Sequence, residues 1–174
     1  GYYSFEKIKE KNKIKLANQY NSVIINFDNE DKQTTIKILT NLVKEKDSTY
    51  SPLALYFLID NNLIDDKNDL NILFDELINK TKLNREIKNL IIYKKALYFS
   101  DKFTENKLLK ILNPVLNSES IWKQHALFLM GDFYFNKEQL NKSKEFFLKI
   151  TELDNVNNKL KIEAEKRLNR DFSE

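Results

Sequence analysis

Apolar residues recur at intervals of three and four along nearly the whole chain, and short polar clusters break the pattern at intervals. A period near 3.6 predicts helices joined by turns, where strands would alternate every second residue. The first stretch, 2–27, offers a broken apolar face of Tyr3, Ile8, Leu16, Ala17, Tyr20, Ile24 and Phe27 and closes at the polar turn 28–31. Thr35, Ile36, Leu39, Leu42 and Val43 then return at helical spacing. A second pair is expected to open with Ser51 as N-cap and Pro52 as first helical residue. There Leu53, Ala54, Phe57 and Leu58 cover more than one face, as a helix with neighbours on both sides requires, and the partner helix carries Leu70, Leu73, Phe74, Leu77 and Ile78. A third pair starts near Asn84, runs through Ile87, Leu90, Ile91, Ala96 and Phe99, and resumes from about Thr104 with Leu108, Ile111, Leu112 and Val115. Pro114 is expected to cut that helix short. The last segment, from Val156, sets Leu160, Ile162, Ala164 and Leu168 among many charges, a pattern suited to a terminal helix that covers the open end of an array.

The stretch 126–150 is the most informative. Leu127, Met130, Gly131 and Tyr134 occupy the offsets W-x2-L-G-x2-Y, and Ser143 and Phe147 the offsets A-x3-F. In this it resembles a tetratricopeptide repeat (TPR) unit, a hairpin of two antiparallel helices. Gly131 and Ser143 are the small residues that a close helix contact needs, and Tyr134 and Phe147 fill the space beside it. The intervening turn offers Asn136 as a cap for the second helix and Gln139 at the capping-box position. Placing the glycine slot at Val23, Leu58, Ala96 and Gly131 gives successive offsets of 35, 38 and 35 residues, close to the TPR period of about 34. The expectation is a single all-α, TPR-like domain over 1–174, a right-handed array of about four hairpins (2–46, 48–80, 84–117 and 119–153) closed by a capping helix over 156–171.

Composition narrows the class further. Apolar residues make up 41% and aromatic residues 12% of 174, enough for a substantial core, while two glycines and two prolines are too few for the many tight turns of a β sandwich. Lys and Arg number 29 against 26 Asp and Glu. That excess of +3 reads as mild and spread along the chain, and gives nucleic-acid binding no support. Cysteine is absent, which removes disulfides, thiolate metal sites and cysteine nucleophiles together. No run of about 18 apolar residues spans a membrane. The chain opens at Gly1 without a methionine, which points to a processed or excised start.

Chemistry-bearing constellations are scarce. His125 is the single histidine and has no second ligand at helical spacing, so no metal site is expected. The acidic stretch 60–69 lacks the alternating ligands, central glycine and terminal glutamate of an EF-hand and reads as a solvated turn with helix capping. No phosphate-cradling glycine loop, nucleophile elbow or HExxH occurs, so neither enzyme nor cofactor is expected. Tyr2, Tyr3 and Phe5 crowd the first five residues and are candidate membrane-proximal positions, with Lys7, Lys9, Lys11, Lys13 and Lys15 following. The bland alternative packs those rings on the first hairpin and solvates the lysines.

Taken whole, the chain resembles the YfgM-like TPR proteins of the bacterial inner membrane. The resemblance rests on the Gly-Tyr-Tyr opening onto a long helix with Ala-Asn-Gln-Tyr at 17–20, on Tyr-Ser-Pro-Leu-Ala at 50–54, on Arg-Glu-Ile-Lys-Asn-Leu at 85–90 and on Ala-Leu-Phe-Leu-Met-Gly-Asp at 126–132. Ser143 stands where alanine is usual and Met130 where leucine is. The resemblance implies a transmembrane helix upstream of residue 1, a periplasmic repeat domain, and the SecYEG translocon and periplasmic chaperones as partners; it implies no catalytic residue. A protein-interaction module assisting export or envelope assembly is therefore the leading expectation. A soluble TPR adaptor and a homo-oligomerisation domain remain its alternatives.

Overall fold

The computed structural model describes residues 1–154 and 157–172, and these form nine α-helices with no strand. In chain order they are α1 (Tyr2–Ile25), α2 (Lys32–Lys44), α3 (Tyr50–Asp60), α4 (Lys67–Lys80), α5 (Arg85–Phe99), α6 (Glu105–Leu116), α7 (Lys123–Asn136), α8 (Leu140–Thr151) and α9 (Asn158–Asp171). Val156, where the terminal helix was expected to begin, lies outside the described residues. The chain divides into two compact units, Gly1–Asn84 and Arg85–Glu174.

The first unit holds α1 to α4. Helix α2 packs against α1, α3 and α4, and its Leu39 and Val43 have no exposed surface. Asp31 starts α2 by accepting from the Thr34 amide, and Asp66 starts α4 by accepting from the amides of Asn68 and Asp69, each satisfying donors that a helix end leaves unpaired. The acidic stretch 60–69 thus contains a cap. Helix α3 ends in a Schellman turn: Asn62 is left-handed at φ 50°, and the Leu63 amide bonds the Leu58 carbonyl at 2.9 Å. Leu63 then turns inward and is buried.

The second unit holds α5 to α9. Helix α5 packs on α6 and α7, α7 on α8, and α9 on both α7 and α8. Ala164 of α9 is fully buried in a cluster with Leu127, Phe147 and Ile150, while Ile162 is 50% exposed.

Within these units the hairpins share one register. The second helix opens nine residues after each proposed slot: Lys32 after Val23, Lys67 after Leu58, Glu105 after Ala96, Leu140 after Gly131. The residues twelve and sixteen positions after the slot are buried in all four: Thr35 and Leu39, Leu70 and Phe74, Leu108 and Leu112, Ser143 and Phe147. The first helices end at unequal distances beyond the slot, at Ile25, Asp60, Phe99 and Asn136. The turns absorb that difference, so the register follows the packed positions and is independent of helix length.

Three boundary expectations are corrected. Ser51 is inside the first turn of α3 and fully buried; its Oγ donates to the Leu42 carbonyl at 2.7 Å and accepts from the Asp47 amide. Asp47 takes over the capping, its carboxylate accepting from the amides of Thr49 and Tyr50. Asn136 ends α7, and Gln139 is the N-cap of α8 without a side-chain cap bond. A second Schellman turn preempts both roles, with Glu138 at φ 59° and the Gln139 amide on the Tyr134 carbonyl. Pro114 lies within α6, which continues to Leu116; so near the end, the helix loses one carbonyl partner and has few turns left to break.

Candidate interaction surface

The six motif residues of the fourth hairpin meet at the α7–α8 contact. A Cβ on Gly131 would lie 2.7 Å from Cε1 and 2.8 Å from Cζ of Phe147, so the ring occupies the space any side chain would need. Ser143 Oγ donates to the Gly131 carbonyl at 2.7 Å, which is why a hydroxyl fits at this fully buried position: its proton has a partner. Met130 has no exposed surface, and Leu127 packs with Phe147 and Ile150. The ring of Tyr134 is buried, yet its hydroxyl donates to Glu105 Oε1 at 2.7 Å, and Lys142 Nζ donates to the same oxygen at 2.9 Å. Burial, then the Glu105 carboxylate, push the Tyr134 hydroxyl well above its ordinary range, and Lys142 followed by Tyr134 hold Glu105 below its own. These residues are scaffold, and what they position is the neighbouring face of α7.

That face carries a ring cluster. Tyr93 of α5 stacks on Trp122 at 6.5 Å between centroids, and His125 of α7 meets Tyr93 at 5.6 Å and Trp122 at 5.0 Å. All three rings are half-buried. Glu86, in the first turn of α5, sets the position of Trp122 from a distance in sequence: its Oε2 accepts from Ser120 Oγ and from the Ile121 amide at 2.8 Å, and Ser120 Oγ in turn accepts from the Trp122 amide. Burial lowers the His125 pKa below the ordinary 6.5, and its Nδ1 is buried without a hydrogen-bond partner. Burial, assisted by Asp132, raises that of Tyr93. Arg167 of α9 pairs with Asp132 and donates to Asp171 Oδ2 at 2.8 Å, and its guanidinium lies 4.8 Å from the centre of Phe147 and 5.1 Å from that of Phe135. From the sequence, the lone Trp122 beside the lone His125 was the available signal; Tyr93, some 30 positions earlier, had none.

The other exposed feature is the start of α1. Every residue in 1–15 is exposed, with Tyr2 at 81%, Tyr3 at 72% and Phe5 at 64%. The buried residues of α1 are Leu16 and Val23, so the expected apolar face loses Tyr3 and Ile8 to solvent and the rings do not pack on the first hairpin. The net charge is also localised, contrary to its reading as spread. The segment 1–15 contains five lysines and two glutamates, a balance of +3 that equals the whole chain's. The rest of the chain is neutral.

Among the described residues no group of three or more His, Cys, Asp or Glu side chains is placed to hold a metal ion, and no helix is long and apolar enough to cross a membrane. Comparison of the chain with protein-family models, with characterised proteins and with solved structures finds no match.

Proposed function

We propose that this chain is a non-enzymatic protein-interaction module of TPR type whose binding surface includes the face formed by α5 and α7. The observation that carries the reading is the cluster of Tyr93, Trp122 and His125, half-exposed and held by a built network around Glu86 and Ser120. Tyr and Trp with buried bodies and accessible edges are the residues that dominate binding energy at protein interfaces, because they desolvate a large area with little loss of side-chain entropy. The common hairpin register supports the TPR assignment, since it reproduces the offsets of the fourth hairpin in the other three.

For the cellular setting we propose the one implied by the resemblance: a periplasmic domain of a single-pass inner-membrane protein that assists export or envelope assembly, with the SecYEG translocon and periplasmic chaperones as candidate partners. A photocrosslinking phenylalanine in place of Tyr93, activated in membranes of the native organism, tests the module. The expected result is a crosslink to one or a few other proteins that is lost on Trp122→Ala. Crosslinks between copies of the chain alone would favour the homo-oligomerisation alternative, and recovery of the full-length protein in the cytosol would favour the soluble adaptor.

A further inference from the structure

We propose that the exposed segment 2–15 of α1 docks on an anionic lipid surface, its rings entering the interface and its lysines meeting the headgroups. The inference deepens the membrane-proximal part of the reading above and rests on it for location only. Three observations carry it. The segment buries no side chain although it holds three aromatic rings, so a surface that takes up those rings removes them from water without breaking any packing. It holds a net charge equal to that of the whole chain, +3. Its polarity is ordered along the helix axis: Tyr2, Tyr3 and Phe5 come first and the lysines follow.

Axial order distinguishes a lipid surface from other anionic partners. At about 100° per residue, Tyr2 and Phe5 share one side of the helix with Lys9 and Lys13, Tyr3 points about 100° away from Tyr2, and Lys7, Lys11 and Lys15 lie opposite Lys9 and Lys13. A protein groove or a second copy of the chain needs one apolar stripe, which this arrangement does not supply. A single nucleic-acid strand is met by rings interleaved with basic residues along its track, and here they are separated. A bilayer interface surrounds the helix on all sides and is layered along the normal, so rings on more than one side are accommodated together. Lys7, Lys9 and Lys11 follow Phe5 by roughly 3 to 9 Å of helical rise, about the depth of a headgroup layer. Lys13 lies 3.5 Å from Asp47 and is already engaged.

The test is flotation of the 174-residue chain with vesicles of phosphatidylcholine alone or with about one third phosphatidylglycerol, at about 0.05 M and 0.5 M salt. Binding is expected only to the anionic vesicles and is expected to fall at high salt. Combined Lys7→Gln, Lys9→Gln and Lys11→Gln should weaken it roughly a hundredfold, and combined Tyr2→Ser, Tyr3→Ser and Phe5→Ser should weaken it with the lysines intact. All six side chains are exposed, so unchanged thermal unfolding of both variants is expected. Equal flotation with neutral vesicles, no flotation with anionic ones, or full binding by the ring variant overturns the proposal, as does tighter retention on single-stranded DNA than on vesicles. Such a failure leaves the α5–α7 surface untouched, because the crosslinking experiment reads that surface independently.

Discussion

A methyl group on Gly131 would have to displace the ring of Phe147, a side chain with no exposed surface and with Phe128, Phe172 and Arg167 around it. Two effects oppose each other in Gly131→Ala. The helix gains about 1 kcal/mol of propensity, whereas overpacking a close contact costs about 1 to 3 kcal/mol. Since the ring is hemmed in, overpacking is expected to win, giving a net loss of roughly 1 kcal/mol and a larger one for Gly131→Leu, read by denaturant unfolding. Phe147→Leu in the Gly131→Ala background should recover part of the loss, and strict additivity of the two changes would contradict the contact. His125 supplies a second prediction at this scale. Its folded pKa lies below the unfolded 6.5 because burial disfavours the charged ring. A lowered histidine contributes stability above pH 6.5 that is lost as the pH falls through the folded value. As the single histidine, it gives one proton-NMR titration, expected with a midpoint below 6.5; a midpoint at or above 6.5 would remove the argument. His125→Gln should flatten the fall in melting temperature between about pH 7 and pH 5.

Helix α9 shows how an element of charged character becomes part of a core. Few of its residues are apolar and one, Ala164, is fully buried. Its attachment depends on Arg167, which stacks on the rings of Phe135 and Phe147 while pairing with Asp132 of α7 and Asp171 of its own helix. Arg167→Ala is therefore expected to destabilise the second unit by about 1 to 2 kcal/mol through lost packing and the unpaired Asp132. Arg167→Lys should not restore it, because an ammonium lacks the planar fork that meets both carboxylates. Arg170 first, then Arg167, hold the Asp171 carboxyl down at about 2. A depressed carboxylate contributes stability above its unfolded value of about 3.9 that is lost as the pH falls toward the folded one. Protection of the α9 amides from hydrogen exchange, measured against their intrinsic rates, should fall between about pH 4 and pH 2 ahead of that of α7, and equal protection of the two helices across that range would show that the pairing does not hold the cap.

At the scale of the molecule, each unit carries its own buried set: Leu39, Val43, Leu58, Phe74 and Leu77 in the first, Ile91, Ala96, Leu112, Met130 and Phe147 in the second. In stacked helical repeats stability is close to a sum of local and nearest-neighbour terms. A fragment spanning 85–174 is thus expected to keep its helical circular dichroism, a cooperative thermal transition and the low His125 midpoint. A fragment that titrates at the ordinary histidine value would mean that the ring cluster needs the first unit to form.

Much of this order was legible in the chain itself. The helical period, the slot at Val23, Leu58, Ala96 and Gly131, and the buried pairs twelve and sixteen residues later are properties of local spacing, which a linear sequence displays directly. Thr104 could be read as the start of α6 for the same reason: a cap acts within one turn. What tertiary structure alone decided is which of several apolar residues find partners. Tyr3, Ile8, Leu16 and Ala17 belonged to one sequence pattern, yet only Leu16 is buried among them, and the first fifteen residues are all exposed. Ser51 looked like a cap and became a buried link to α2, and Glu86 holds the turn that leads into a helix beginning 37 residues later. Interactions between segments distant in the chain depend on coordinates that composition and periodicity do not contain, and it is those interactions that assemble Tyr93, Trp122 and His125 into one surface.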